Sequence, residues 1–191
     1  MAGFSRWLER HSKGWVTILA VVIFFVFTPL VLPGQAARFR EVAGDGPSPD
    51  QSFLYTAADL YDMAETFGPE GRAEYVRARW TFDVIWPIVY TFALVTAISW
   101  FSKRAFPDGS KARLLNLVPA LGLLFDYLEN ICASIVMARY PAETPVVDLL
   151  TTIFTPIKWV FVVGSFVVLV AVAVAWVAQA IRHRKARAAA V

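Results

Sequence analysis

The sequence predicts an all-α integral membrane protein: a four-helix bundle with a helical extracytoplasmic segment between spans one and two. Three observations carry this. Hydrophobic residues make up 58% of the 191-residue chain and charged residues 17%, against roughly 45–50% apolar in a soluble domain. Most of the apolar residues fall in four blocks, each close to the roughly 20 residues a helix needs to cross a bilayer. Lysine and arginine flank those blocks in alternation. The whole chain, 1–191, reads as a single membrane domain, and the composition excludes a soluble enzyme or a disordered chain.

The spans cover about 15–32, 82–101, 114–137 and 155–181. Pro29, Pro87, Pro119, Gly122, Pro156 and Gly164 lie within or beside them. They do not break a helix in lipid, because neighbouring helices or local backbone adjustment satisfy the freed carbonyls. Basic residues set the orientation. Arg6, Arg10 and Lys13 precede span one; Lys103, Arg104, Lys111 and Arg113 follow span two; Arg182, Arg184, Lys185 and Arg187 follow span four. These segments share one side, which the positive-inside rule makes the cytoplasm. Segment 33–81 has five arginines against eight carboxylates, and Arg139 is the one basic residue of loop 138–147. Both therefore face outward, and the expected location is the plasma (bacterial inner) membrane, multi-pass, with both termini cytoplasmic. The string Gly34-Gln35-Ala36-Ala37 suits a signal peptidase. The apolar stretch before it is longer than a usual signal core, which favours an uncleaved anchor.

Between spans one and two, residues 38–49 hold Gly44, Gly46, Pro47 and Pro49 and read as a turn-rich linker. Ser48 or Asp50 then caps an expected helix on which Phe53, Leu54, Ala57, Leu60, Tyr61, Ala64 and Phe67 recur at spacings of three and four. Gly68-Pro69 breaks it. A second stretch, 72–80, brings Arg72, Arg77 and Arg79 to the start of span two. Two readings stand: a lid whose arginines meet a phosphate or carboxylate head group, or a helical hairpin whose arginines pair with its own carboxylates.

The most informative feature is ionisable residues inside the spans, which are costly there and mark functional sites by default. Asp126, Glu129 and Asn130 share one face of span three, with Gly122 and Ala133 continuing it as small residues. Span two offers Asp83, Pro87, Tyr90 and Thr91; span four offers Thr151, Thr155, Lys158 and Ser165. With the alternating orientation these stripes meet in the outer half of the bilayer. Lys158 is placed to pair with Glu129 or Asp126, and Asp83 with Arg79. The cluster supports structural pairing, a ligand or ion site, or acid–base chemistry. Tyr127 and Trp159 adjoin it, whereas Trp80, Trp86 and Trp100 suit interfacial belts or packing.

Other chemistry is thinly represented. The single Cys132 and two histidines, His11 and His183, give no disulfide, thiol redox pair or metal ligand set. No phosphate loop or dinucleotide fingerprint is present, so no cofactor is implied. Net charge +3 reflects the span flanks rather than a nucleic-acid surface.

The strings Gly68-Pro69-Glu70-Gly71-Arg72-Ala73-Glu74-Tyr75, Asp83…Pro87…Tyr90, Asp126-Tyr127-Leu128-Glu129-Asn130 and Lys158-Trp159 resemble a recurring pattern in an uncharacterised family of small bacterial four-span inner-membrane proteins. That resemblance implies a bacterial setting and no activity. The loop layout is similar to that of claudins, but the paired cysteines of their first loop are missing. Four spans with intramembrane acids are also similar in architecture, though not in motifs, to the sterol-isomerase and sigma-2-receptor family, which implies lipid-like ligands. The expectation is a polar pocket of Asp83, Tyr90, Asp126, Glu129, Asn130, Lys158, Arg72, Arg77 and Arg79. It would bind a membrane lipid, a lipid-like amphipathic ligand or a membrane-protein partner. An intramembrane enzyme using carboxylate acid/base chemistry on a lipid, and a structural membrane subunit, are the alternatives.

Overall fold

In the computed structural model, which describes residues 2–188, the chain is helical with no strand among the described residues. Six α-helices follow in order: α1 (Ala2–His11), α2 (Gly14–Ala43), α3 (Ala57–Arg79), α4 (Phe82–Ala105), α5 (Val118–Arg139) and α6 (Pro145–Ala188). A short 3₁₀ turn, Pro49–Gln51, precedes α3, and a longer one, Lys111–Leu117, leads into α5. Four helical runs, containing α2, α4, α5 and α6, are long and apolar enough to cross a membrane. The protein is a multi-pass membrane protein. Its lipid-facing surface is visible in the exposed Ile18, Val22, Val26 and Leu30 of α2 and Val163, Val167, Val170 and Val174 of α6. Such a continuous apolar surface is suited to hydrocarbon and not to water.

Helix α4 is central and packs on α2, α5 and α6, while α2 and α6 lean on it from different sides. Aromatic side chains fill the α2–α4 seam. Trp86 stacks on Phe24 and Phe27, with ring centres 5.7 and 5.9 Å apart. The α5–α6 seam is closer, because Gly122 leaves room for Val162: a Cβ there would lie 3.2 Å from Val162 Cγ2. Along α6 the buried residues Asp148, Thr151, Thr155, Lys158, Ser165 and Val172 are spaced by three or four and then by seven, the signature of a helix seated in a bundle along one seam.

At one end, α3 folds over the bundle. Leu60, Met63, Ala64, Phe67 and Tyr75 pack on Ala43 of α2 and on Ala133, Val136 and Met137 of α5. Helix α3 bends at Gly68, whose φ of 62° and ψ of 178° suit only glycine. Past the bend, Gly71 lets the backbones meet, since a Cβ there would lie 3.1 Å from Ala43 Cα.

Several expectations for this end need correction. Helix α2 does not stop near residue 32 but runs through Pro29 and Pro33 to Ala43. At about 1.5 Å per residue it is roughly 45 Å long, well beyond the ~30 Å hydrocarbon core. Residues 38–43 are thus helix rather than linker, because Phe39 and Ala43, one turn apart, find partners: Phe39 packs edge-on against Phe67, 5.0 Å between ring centres. The helix then ends at Gly44, with φ 78°. The cap of α3 is neither Ser48 nor Asp50 but Thr56, which accepts from the Asp59 N–H while Asp59 accepts from the Thr56 N–H. The Thr56 N–H and hydroxyl, both donating to Asp59 Oδ2, hold the Asp59 carboxyl below its ordinary range. Phe53 and Leu54 lie before that cap, exposed and outside the helix.

The opposite end holds the unexpected α1. Its Ser5 donates to Asn116 Oδ1 at 2.8 Å, and Asn116 donates back to the Ser5 carbonyl and to Ser99 Oγ. Lys103 at the end of α4 donates to the carbonyls of Glu9 and Ser12, at 2.6 and 2.9 Å. The α-helical part of the third apolar run begins at Val118, preceded by the 3₁₀ stretch Lys111–Leu117.

Candidate functional site

Polar side chains from α4, α5 and α6 converge at the α3 end, joined by two residues from the segment before α3. They form two connected groups. The first is built on Glu129, which is fully buried. Its Oε2 pairs with Lys158, and its Oε1 accepts from Thr155 Oγ1 at 2.8 Å. Tyr55 OH lies 2.7 Å from the same Thr155 hydroxyl. Both charged groups here have a protein partner.

The second group is built on Arg79 and Asp126. Arg79 pairs with Asp50, lies 2.8 Å from Asp83 Oδ2 and reaches Asn130 Oδ1 at 3.5 Å. Its guanidinium sits over the Tyr75 ring, 4.5 Å from the centre. Asn130 donates in turn to Asp126 Oδ1 at 3.1 Å, and Tyr90 OH donates to Asp126 Oδ2 at 2.8 Å. Asp126 has hydrogen bonds but makes no ion pair among the described residues. The two groups together set four carboxyls (Asp50, Asp83, Asp126, Glu129) against two cations, Arg79 and Lys158.

A cleft of about 300 Å³ adjoins these groups. Phe24 and Leu32 of α2 form one wall, and Trp159, Val162 and Phe166 of α6 the other. Phe24 and Phe166 approach to 6.4 Å between ring centres. The cleft's polar end is made by Asp50, Arg79, Tyr90, Asp126 and Lys158. Two buried donors on its lining residues, Arg79 Nε and Trp159 Nε1, have no protein partner. A buried unpartnered donor costs about 1–3 kcal/mol, which a bound polar group recovers. The site thus has an apolar slot with hydrogen-bonding groups at one end.

Of the nine residues expected at the site, the structure brings seven together: Asp83, Tyr90, Asp126, Glu129, Asn130, Lys158 and Arg79. Four of these, Tyr90, Asp126, Lys158 and Arg79, line the cleft itself. Arg72 and Arg77 lie elsewhere, which corrects their placement. Arg72 donates to the Ala64 carbonyl at 2.7 Å and stacks over Tyr140, bracing the bend at Gly68. Arg77 is exposed and donates through Nε to Glu74 Oε2 at 2.7 Å. That bond, against a little burial and aided by Arg38, holds the Glu74 carboxyl below its ordinary range. Arg77 thus pairs with a carboxylate of its own segment, as the hairpin reading has it, whereas Arg72 meets a backbone carbonyl and a tyrosine ring. Sequence reasoning missed Asp50 and Tyr55, which it took as the start of the expected helix and which lie before α3, and placed Trp86 with packing although it also lines the cleft. Among the described residues no acid, cysteine and histidine cluster is positioned to hold a metal ion.

No known protein family matches this chain, and neither a curated protein nor a solved structure shows significant similarity to it.

Proposed function

We propose that this is a plasma (bacterial inner) membrane protein that binds an amphipathic, lipid-like ligand in the cleft between α2 and α6. The observation that carries the reading is the shape of that cleft: apolar and aromatic walls between two lipid-facing helices, ending on Asp126, Tyr90 and Arg79. Ligand pockets combine mostly apolar lining with a few placed polar groups in this way. Because α2 and α6 scarcely touch, the ligand enters sideways from the bilayer, its apolar part between Phe24, Leu32 and Phe166.

The head group is one that donates hydrogen bonds, such as an amine or hydroxyl. Lys158 and Arg79 are already paired with protein carboxylates, whereas Asp126 has no cation. A phosphate head would meet an acid-rich site. Glu129 takes a different part in this reading: sealed behind Lys158 and Thr155, it holds the seam of α5 and α6 together. In this reading the α1 end faces the cytoplasm and the cleft opens in the outer leaflet, an orientation supported by the clustering at the α1 end of Lys103, Arg104, Lys111, Arg113 and the basic ends of α1 and α6.

The test is native mass spectrometry with lipid extraction on detergent-purified protein. A defined molecule should be retained by wild type and lost both from Asp126→Ala, which removes the polar anchor, and from Leu32→Trp, which fills the slot. Equal retention in all three, at equal thermal stability, would remove the cleft from consideration.

A further inference from the structure

The far end of the molecule carries a second cavity with the opposite electrostatic character. Between α1 and the connection from α4 to α5 lies a cleft of about 680 Å³, larger than any other described here and open to the surface. Five of its lining residues are basic and two acidic. The basic residues divide into two kinds. Lys103 and Arg113 are framework: Lys103 holds the Glu9 and Ser12 carbonyls, and Arg113 donates to the Phe106 carbonyl at 2.8 Å and pairs with Asp108. Arg6, Arg10 and Lys111 form no ion pair or side-chain hydrogen bond with any described residue, yet all three border the same concavity.

Helix α1 explains how they come to do so. Its residues divide among three faces at 100° per residue. Ser5 and Glu9 are buried against the bundle. Phe4 and Trp7 stack on each other, 6.0 Å between ring centres, and are more than half exposed. Arg6 and Arg10, one turn apart, take the remaining face. A short helix with exposed aromatics on one side and arginines on the next lies in a membrane interface, aromatics toward the acyl chains. Trp15, also exposed, begins α2 immediately after it. The cleft is therefore held at head-group depth, and its free cations point neither into the bundle nor into a protein partner.

We propose that this cleft binds a phosphate-bearing anion, and that its source is the head group of an anionic phospholipid. Arg6, Arg10 and Lys111 supply the contacts to the phosphodiester oxygens, with guanidinium groups suited to paired hydrogen bonds. Basic pockets between helix ends on the positively charged side of a membrane protein recognise anionic lipid heads by the same attraction. The site is independent of the cleft between α2 and α6, which is acid-rich and lies at the other end, so either can fail without the other.

The experiment uses the full-length protein in nanodiscs containing phosphatidylglycerol and phosphatidylcholine, extracted into mild detergent, with bound lipids identified by native mass spectrometry. Wild type should retain phosphatidylglycerol in preference. R6Q/R10Q/K111Q should retain it roughly tenfold less or lower, given the attraction each basic residue contributes near an anionic surface. R6K/R10K/K111R should keep most of it, and R182Q/R184Q/K185Q, which removes the same charge from the end of α6, should leave retention unchanged. If the triple glutamine variant does not fold, the single variants R6Q, R10Q and K111Q should each show a partial loss. Unchanged retention in the cleft variants, or an equal loss in the α6 variant, would overturn the site. Inorganic phosphate, added alone to wild type in detergent, separates the sources: no binding and no displacement of lipid is expected, and displacement would move the assignment to a soluble phosphate.

Discussion

Lys158 and Glu129 meet where both are buried, so each depends on the other. Burying one charge without its partner is far more costly than burying both. Breaking such a pair from one side costs about 3–5 kcal/mol, whereas replacing both partners is often near neutral. Lys158→Met alone should therefore lower the yield of monodisperse protein and its thermal midpoint. Lys158→Met with Glu129→Gln should recover most of the loss, since glutamine keeps an acceptor for Thr155 Oγ1. Size-exclusion yield and thermal unfolding of the two variants settle it; a double variant as poor as the single would mean that pairing is not what holds the α5–α6 seam. Asp126 is different in kind. It lines the cleft and has no cation of its own, so its removal should be read in ligand retention rather than in stability. The pairing of Lys158 with Glu129 or Asp126 was legible because the three lie on polar stripes of neighbouring spans, and that of Arg79 with Asp83 because the two are four residues apart. Asp50 was not, since 29 residues of irregular chain and helix separate it from Arg79.

At the scale of elements, the decisive feature is the bend in α3. The half before it covers α5, and the half after it delivers Arg79 to Asp83 at the head of α4. Gly68 makes the change of direction in a backbone region that costs other residues about 1–3 kcal/mol. A Cβ at Gly68 would meet nothing within 4 Å, so strain and not crowding is what a substitution would introduce. Gly68→Ala should lower the thermal midpoint and weaken ligand retention together, because the same bend aims Arg79. Gly34→Ala, also with open space but inside α2 at ordinary helical φ, should do neither. A Gly68→Ala protein as stable as wild type would show that the bend is not held in this conformation. The break itself was readable from Gly68-Pro69. The extension of α2 was not: residues 35–43 carry no apolar period, and their helix is settled by Phe39 and Ala43 finding the core beneath α3. Helix α1 escaped for the same reason, being short, charged and fixed through Ser5 and Asn116.

For the whole molecule, the apolar blocks made the four spans legible, but they did not show where the membrane stops, because several helices outrun it. Helix α2 offers a direct measure of that boundary. Val26 and Val42 are the same residue type on the same helix, with 50% and 42% of their surface exposed. They differ in what surrounds them. Val26 lies among the exposed apolar residues of the span, whereas Val42 sits one residue from the end of the helix beside the core beneath α3. A carboxylate near the bilayer centre costs at least ~2.5–3.5 kcal/mol on insertion scales, and in water it costs almost nothing. Val26→Asp should therefore sharply reduce membrane-integrated protein, while Val42→Asp should be integrated and folded like wild type. Membrane fractionation followed by thermal unfolding of the extracted protein reads both. If Val42→Asp were as damaging as Val26→Asp, the hydrocarbon would reach the end of α2. The polar groups around Arg79 would then lie far deeper than a site at the rim, and lateral entry between α2 and α6 would have to begin in the middle of the bilayer.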